Sequence, residues 1–465
     1  MINVVLISTY ELGRQPFGLA SPAAWLKAAG AAVTCQDLAV QRLEEQPIAA
    51  ADLVAFYVPM HTATRIAAAL VGRIRRVNPH AHLCFYGLYA PVNESFLRKL
   101  GAGTILGGEF EEGLVALVKR LSEQQERVEP GSQPEPTISL ARQHFLLPHR
   151  AELPELHRYA HVILPGGERR VAGYTEASRG CKHLCRHCPI VPVYGGRFRI
   201  VQPDVVLEDI RQQVEAGAQH ITFGDPDFFN APTHALRIVK ALHEGFPRLT
   251  YDATIKIEHL VKHAHHLPAL CETGCLFVTS AVESVDNHIL ENFDKLHTRE
   301  EFIQVVSLFR EIGLALNPTF VTFTPWTTLP GYLDLLELLY DLDLVENIAP
   351  IQYAIRLLIP AGSRLLELQT TRSIIGAFDE QALSYPWIHA DPRVDQLYAD
   401  VLATVKESQA RGESRRTIFS KVWKLALSAC LQAHEASEHT RLQLAESPSG
   451  PSRTAIPHVS EPWFC

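Results

Sequence analysis

Three cysteines, Cys181, Cys185 and Cys188, fall within eight residues in the spacing C-x3-C-x2-C. Soft thiolates packed this closely suit iron–sulfur chemistry. Three on one tight loop hold three irons of a [4Fe–4S] cube and leave the fourth iron open to another molecule. Lys182, Arg186 and His187 offset a cluster's negative charge, and Gly180 allows close backbone approach. Zinc is the competing reading. A structural zinc site closes with four ligands, commonly as two C-x2-C halves. No second pair stands at a workable distance, but His183 and His187 offer extra ligands, so zinc stays open beside the cluster.

The elements that must position this loop follow from length and pattern. The chain has 465 residues, enough for two or three domains. It is 47% hydrophobic and 20% charged, which excludes a mainly disordered chain. Its net charge of −8 makes it a poor generic binder of nucleic acid or anionic membrane. No apolar run reaches the roughly 18 residues that span a bilayer. The N-terminus has no basic region and no small-residue cleavage site, so it reads as a first strand of a cytoplasmic protein. Nine cysteines are too sparse for a disulfide scaffold, so the thiols are expected reduced.

Residues 1–121 alternate strand and helix, with strands expected at 4–8, 32–35, 52–60, 82–88 and 104–107. Ser21 and Pro22 read as the N-cap and first position of the first helix, closed by Gly30. This pattern predicts a parallel, doubly wound, flavodoxin-like sheet. Residues 122–140, polar and Pro-rich, read as a linker. Over 141–375 about six βα units fit, predicting a partial (β/α)6 barrel. They include a helix over 203–216, strands at 220–223, 314–323 and 350–358, and a capping box from Thr298 to Glu301. Residues 376–443 read as helical, with Asp391 and Pro392 as cap and first position. Residues 444–465 read as a flexible tail. The fold class is therefore α/β with a helical C-terminal segment.

The cysteine triplet at the end of the first barrel strand resembles the radical S-adenosylmethionine superfamily. That resemblance implies that the open iron is chelated by the amino and carboxylate groups of S-adenosylmethionine, and that one electron cleaves a sulfur–carbon bond to release a carbon radical. The family's aromatic before the last cysteine is replaced by His187, whose ring can still pack on adenine. Phe223-Gly224-Asp225-Pro226-Asp227 resembles the family's Gly-rich segment, which implies cofactor binding by Gly224, Asp225 and Pro226, with Asp225 accepting from the ammonium. Ser280 to Asp286 resembles the family's strand end near the ribose and carboxylate, implying roles for Ser280 and Glu283. Residues 320–328 and 355–363 resemble the last two strand ends.

The first domain resembles that of cobalamin-binding radical enzymes, with Gly107-Gly108-Glu109 matching their Gly-rich turn. The loop over 9–18 has no His, so a lower cobalt ligand from the protein is not expected; cobalamin binding without one stays open. Tyr57 to Arg65 stands at the mouth of the third strand, where His61 and Arg65 can meet a substrate or a corrin side chain. The end, Glu461-Pro462-Trp463-Phe464-Cys465, resembles the start of a tail found in a bacterial radical S-adenosylmethionine group, Cys-Cys-Ala-Glu-Pro or Cys-selenocysteine-Ala-Glu-Pro. That resemblance implies a selenocysteine codon after Cys465.

The resemblance thus implies an enzyme that cleaves S-adenosylmethionine reductively and modifies a small-molecule substrate, with an external electron donor such as flavodoxin or ferredoxin. Transfer of a methyl or 3-amino-3-carboxypropyl group to an arsenic- or selenium-containing or other small acceptor is one outcome. Cobalamin-dependent methylation is a second, and a non-enzymatic iron–sulfur carrier or sensor a third. Cys35, Cys84, Cys271 and Cys275 read as core, and His263, His265 and His266 as a solvated cluster.

Overall fold

The structure is a computed structural model that describes residues 1–125, 135–432 and 456–461. Cys465 and the residues just before it lie outside these. Strands β1 (Asn3–Ser8), β2 (Ala32–Asp37), β3 (Leu53–Tyr57), β4 (His82–Tyr86), β5 (Thr104–Gly108) and β6 (Ile138–Ser139) form one parallel sheet. Their order is β2-β1-β3-β4-β5-β6, which puts a topological switch between β1 and β3. Both faces are apolar. Val4, Leu6, Ala55 and Cys84 pack under helices Phe17–Ala28 and Glu111–Gln125. Val5, Ile7, Phe56 and Phe85 pack under helix His61–Val77. The period of two, apolar at both phases, is what a doubly covered parallel strand requires.

Two local expectations change here. The first helix starts at Phe17, so Pro22 is interior rather than at the first position. Pro22 has no N–H, which frees the carbonyl of Gly18 four residues earlier. The Tyr86 hydroxyl donates to that carbonyl at 2.8 Å from inside the core. In the stretch read as a linker, helix Glu111–Gln125 runs on and residues 137–139 return to the sheet. Gly107 N donates to Thr137 O, Glu109 N donates to Ser139 O, and Arg120 pairs with Glu135.

Strands β7 (His161–Ile163), β8 (Arg169–Thr175), β9 (Ser178–Gly180), β10 (Phe198–Ile200), β11 (His220–Phe223), β12 (Thr250–Thr254), β13 (Cys275–Glu283), β14 (Ala315–Phe320) and β15 (His458–Val459) follow. The second sheet has the order β14-β13-β12-β11-β8-β7-β15, parallel from β8 to β14. β9 and β10 pair apart from it. The expected strand over 350–358 is instead a 3-10 turn, Pro350–Ala354, and one bridge between Phe323 and Arg356. Pro350 suits such a turn and cannot donate to a ladder. The Gln352 amide oxygen accepts from Phe320 N at 2.9 Å, where a strand partner would otherwise stand.

Helices Pro392–Ala410 and Arg415–Gln432 pack on the barrel's outer core through Val394, Val401, Phe419 and Val422. Residues 375–387 are a bridged turn rather than helix. Within the stretch read as a flexible tail, β15 pairs antiparallel with β7, and Tyr10 donates to Glu461 at 2.6 Å. Among the described residues no helix is long and apolar enough to cross a membrane.

The barrel sheet differs from the first in one respect. Ile221, Phe223, Tyr251, Val278, Val282 and Leu316 face the helices. The opposite face, fixed by the register, carries His220, Thr222, Thr250, Asp252, Phe277, Thr279, Asn317 and Thr319. Asp252 accepts from Thr222 at 2.6 Å and lies 2.8 Å from His220. The inside of the barrel is thus polar below the strand ends that carry the candidate site.

Candidate active site

The cysteine loop leaves β9 at Gly180, whose φ of +74° lies in the left-handed region and whose missing Cβ makes room for Tyr194. Two neighbouring segments hold it. Arg186 N donates to Phe293 O at 2.8 Å, and its guanidinium donates to Glu291 O and Asn292 O, the last carbonyls of helix Asn287–Phe293. Ser363 Oγ and Leu365 N both donate to Arg186 O. Arg186 therefore staples the loop rather than facing the thiols.

Cys181, Cys185 and Cys188 are free thiols. Burial pushes Cys181 up to about 11 and Cys188 higher still, with Cys185 adding to both. As bare thiols Cys181 and Cys188 are protonated; a coordinating metal would displace those protons. The buried Lys295 ammonium lies within electrostatic reach of Cys185 and Cys188. Three sulfurs on one rigid loop, with a buried cation beside them, fit a three-thiolate iron–sulfur cluster.

Glu283 ends β13. A bulge between Ala281 and Glu283 and a φ of +68° re-aim it, at a cost of about 1–2 kcal/mol for a residue with a Cβ. Its Oε1 lies 3.1 Å from His187 Nε2 and 3.3 Å from Lys295 Nζ. Burial alone would raise its carboxyl; Lys295 and His187 outweigh burial and hold it at about 2. His187 packs on Phe293 at 4.5 Å between centroids. So Glu283, His187 and the cysteine loop come together.

The remaining sequence candidates separate. A side chain at Gly224 would collide with the Tyr174 hydroxyl, which explains the glycine. Asp225 is buried; its Oδ2 accepts from Ala177 N at 2.9 Å and its Oδ1 from Ser178 Oγ at 2.5 Å. Burial pushes its carboxyl up to about 7. Asp225 thus ties the turn that leads into Cys181. Pro226 is half-buried beside it. Ser280 lies between Val278 and Val282 on the helix-facing side of β13, away from the polar interior. In the first domain, His61 Nε2 is 2.5 Å from Ala382 O and Arg65 is exposed.

Lys256, Lys295 and His297 lie outside the sequence-derived set. All three are buried. Lys256 Nζ reaches His183 Nδ1 at 3.2 Å and Glu258 at 3.1 Å. Burial, with Lys295 and Lys256 nearby, holds the His297 imidazole down at about 3. The available signal was the polar stripe at every second position of β12, Thr250, Asp252, Thr254 and then Lys256.

In the first domain three glycines are fixed by close neighbours, and one arginine bridges to it from the barrel. A Cβ at Gly107 would collide with the Pro91 ring, one at Gly108 with Ser139 O, and one at Gly18 with the Tyr57 ring. Arg179 is buried against Glu109, Glu111 and Glu176, over the rings of Phe110 and Phe145. Burial pushes Glu109 up to about 7, while Arg179 pulls it the other way.

Residues 175–333 match the Radical SAM superfamily, so the chain carries a radical SAM domain. The radical SAM fold implies a [4Fe–4S] cluster and S-adenosylmethionine as cofactors. Among curated proteins, the tRNA-2-methylthio-N(6)-dimethylallyladenosine synthase of Desulfosudis oleivorans is 24% identical over 211 residues, covering 43% of this chain and 44% of that protein. The hopanoid C-3 methylase of Methylococcus capsulatus is 22% identical over 151 residues, covering 32% and 29%. The chain thus spans less than half the length of these relatives. Among solved structures, the cobalamin-dependent S-adenosylmethionine radical enzyme OxsB superposes with a TM-score of 0.71 at 15% identity, covering 96% of this chain and 74% of OxsB. The radical S-adenosylmethionine methyltransferase TsrM of Kitasatospora setae gives 0.58 at 18%, covering 74% of each. These likenesses show a shared fold: a parallel-sheet domain, a near-barrel and a helical C-terminal region.

Proposed function

We propose that this radical SAM chain is an enzyme that cleaves S-adenosylmethionine reductively and transfers a group to a small-molecule acceptor. The observation that carries it is the three-thiol loop, with Cys185 buried and Cys181 and Cys188 half-buried, meeting the Glu283, His187 and Lys295 cluster at the strand ends. Loaded there, a [4Fe–4S] centre supplies one electron and, from S-adenosylmethionine, a carbon radical.

The chain's own residues perform the rest. Cys181, Cys185 and Cys188 would hold the cluster. Lys295 keeps a positive charge beside it, and its pairing with Glu283 fixes that charge. Glu283 offers its second carboxylate oxygen to a hydroxyl or ammonium donor. Gly224 and Asp225 shape the turn under the loop, and buried Lys256 and His297 present nitrogen atoms near the same strand ends. The clamps from Phe293, Ser363 and Leu365 close the loop's far side against water.

The curated relatives named above include synthases that modify tRNA. The net charge of −8 favours a small acceptor here. A flavodoxin or ferredoxin is the class of donor proposed, because the cluster takes electrons one at a time.

Cobalamin-dependent methyl transfer is the second reading, favoured by the fold shared with OxsB and TsrM. At the Gly-rich turn, the Pro91 ring and Ser139 O leave no room for a Cβ at Gly107 and Gly108, so both positions require glycine. No step is assigned to cobalamin.

Anaerobic incubation of reduced, reconstituted protein with S-adenosylmethionine tests the proposal. 5′-Deoxyadenosine marks adenosyl-radical chemistry and methylthioadenosine marks aminocarboxypropyl transfer. Formation of neither overturns it.

A further inference from the structure

Beside the cysteine loop lies a second convergence of ligand atoms that the cluster does not use. His183 stands between Cys181 and Cys185, Asp227 follows β11, and His259 lies on helix Ile257–Lys262. All three are buried. His183 Nε2 lies 3.3 Å from His259 Nε2 and 3.6 Å from Asp227 Oδ2. Two ligands bound at about 2.0–2.1 Å to a tetrahedral ion stand roughly 3.3–3.5 Å apart, so this spacing is that of a metal's coordination edge.

His259 turns its other ring nitrogen, Nδ1, to Asp227 Oδ2 at 2.6 Å, a hydrogen-bond distance that ties the imidazole to the carboxylate. One ligand atom from each of the three residues lies within 4.8 Å of the other two, close enough for one ion to gather them. Behind His183, Nδ1 lies 3.4 Å from Glu258 Oε2, the arrangement in which an outer carboxylate orients a metal-binding imidazole. Lys256 Nζ is 3.2 Å from the same nitrogen and 3.1 Å from Glu258, so Glu258 balances its charge and Asp227 remains to balance a cation.

We propose that His183, His259 and Asp227 bind one divalent transition-metal ion, separate from the three-cysteine centre. Two imidazoles and one carboxylate suit Zn²⁺, Fe²⁺ or Co²⁺ and leave at least one position open to a substrate oxygen or water. None of the ligands is a cysteine, so the site does not depend on the radical SAM reading. The rival arrangement is a metal-free hydrogen-bonded chain from Lys256 through His183 and His259 to Asp227.

The test is Co²⁺ titration of full-length, cluster-loaded, chelator-washed protein under anaerobic conditions. The expected result is uptake of one equivalent, with ligand-field bands and no thiolate-to-cobalt charge-transfer band. His259→Gln and Asp227→Asn each weaken uptake by about tenfold or more, with iron content and cluster absorbance unchanged. Uptake persists when all three cysteines are replaced by Ser, which separates this site from any failure of the cluster itself. No uptake by the unsubstituted protein overturns the proposal without reference to any variant. A thiolate band, uptake by both variants as tight as that of the unsubstituted protein, or loss confined to His265→Ala and His266→Ala also overturns it.

Discussion

Two parallel sheets of this chain share one pattern of alternating strands and helices and differ in a single face. In the first sheet Val4, Leu6, Val5 and Ile7 fill both sides with apolar contacts. In the barrel sheet the helix side is equally apolar, but the inner side carries His220, Thr222, Asp252 and Asn317. An apolar face stabilises without specifying chemistry, while a polar face in a buried place must satisfy every group and so is reserved for a site. The proposed chemistry accordingly sits at the barrel's strand ends, while in the first domain Tyr57 and Pro91 crowd Gly18 and Gly107, and Arg179 is buried against Glu111.

The largest expected contrast is between cysteines of the two regions. On the proposed function, Cys181→Ala removes a cluster ligand and abolishes both the cluster absorbance and S-adenosylmethionine cleavage. Cys84→Ala, in the first sheet, keeps both and loses about 0.5–3 kcal/mol of stability by denaturant unfolding. Equal loss of cluster in the two variants breaks the comparison.

Next come the two kinds of buried contact. Phe56→Ala opens a cavity in the first core and costs about 3–5 kcal/mol. Asp252→Ala leaves His220 and Thr222 without their acceptor and costs about 1–3 kcal/mol. Chemical denaturation measures both, and the reverse order contradicts the assignment of the apolar face as the main support. Arg179→Leu sharpens the picture at the junction. It leaves Glu109, Glu111 and Glu176 buried together and costs about 3–5 kcal/mol, recovered in part as pH falls and they take up protons.

The smallest effects are in pH dependence, and their signs are opposite. Glu283 titrates at about 2 in the fold, below its unfolded value near 4.3. Its contribution is present above pH 4.3 and lost as pH falls toward 2. Asp225 titrates at about 7, above its unfolded value near 3.9. Its contribution is present below pH 3.9 and lost as pH rises through 7, with a slope of at most about 1.4 kcal/mol per pH unit. Stability against pH for Glu283→Gln and Asp225→Asn, each compared with the parent, checks the pair. Glu283→Gln flattens the acid limb and Asp225→Asn flattens the limb between pH 4 and 7.

Much of this was legible in the residues. The strands of the first sheet are apolar runs between helix signals, and the capping box at Thr298 forms as read. What escaped reading was set by tertiary contacts. Pro22 became interior because a distant tyrosine takes up the carbonyl it frees. The sixth barrel strand reduces to one bridge because a glutamine side chain takes the edge N–H. Ser280 and Glu283 are three residues apart, but a bulge between Ala281 and Glu283 turns them to opposite duties, and no local pattern marks a bulge. His183 was read only as a spare zinc ligand for the cysteines, because its partners Asp227 and His259 come from two later βα units.

The central claim is that the three-cysteine loop holds a cluster with one iron open to S-adenosylmethionine. Low-temperature electron paramagnetic resonance of the reduced, anaerobically reconstituted protein tests it most directly. The account predicts a [4Fe–4S] signal that changes when S-adenosylmethionine is added and that is absent when Cys181, Cys185 and Cys188 are replaced. A signal indifferent to S-adenosylmethionine, or one that survives loss of the cysteines, contradicts it.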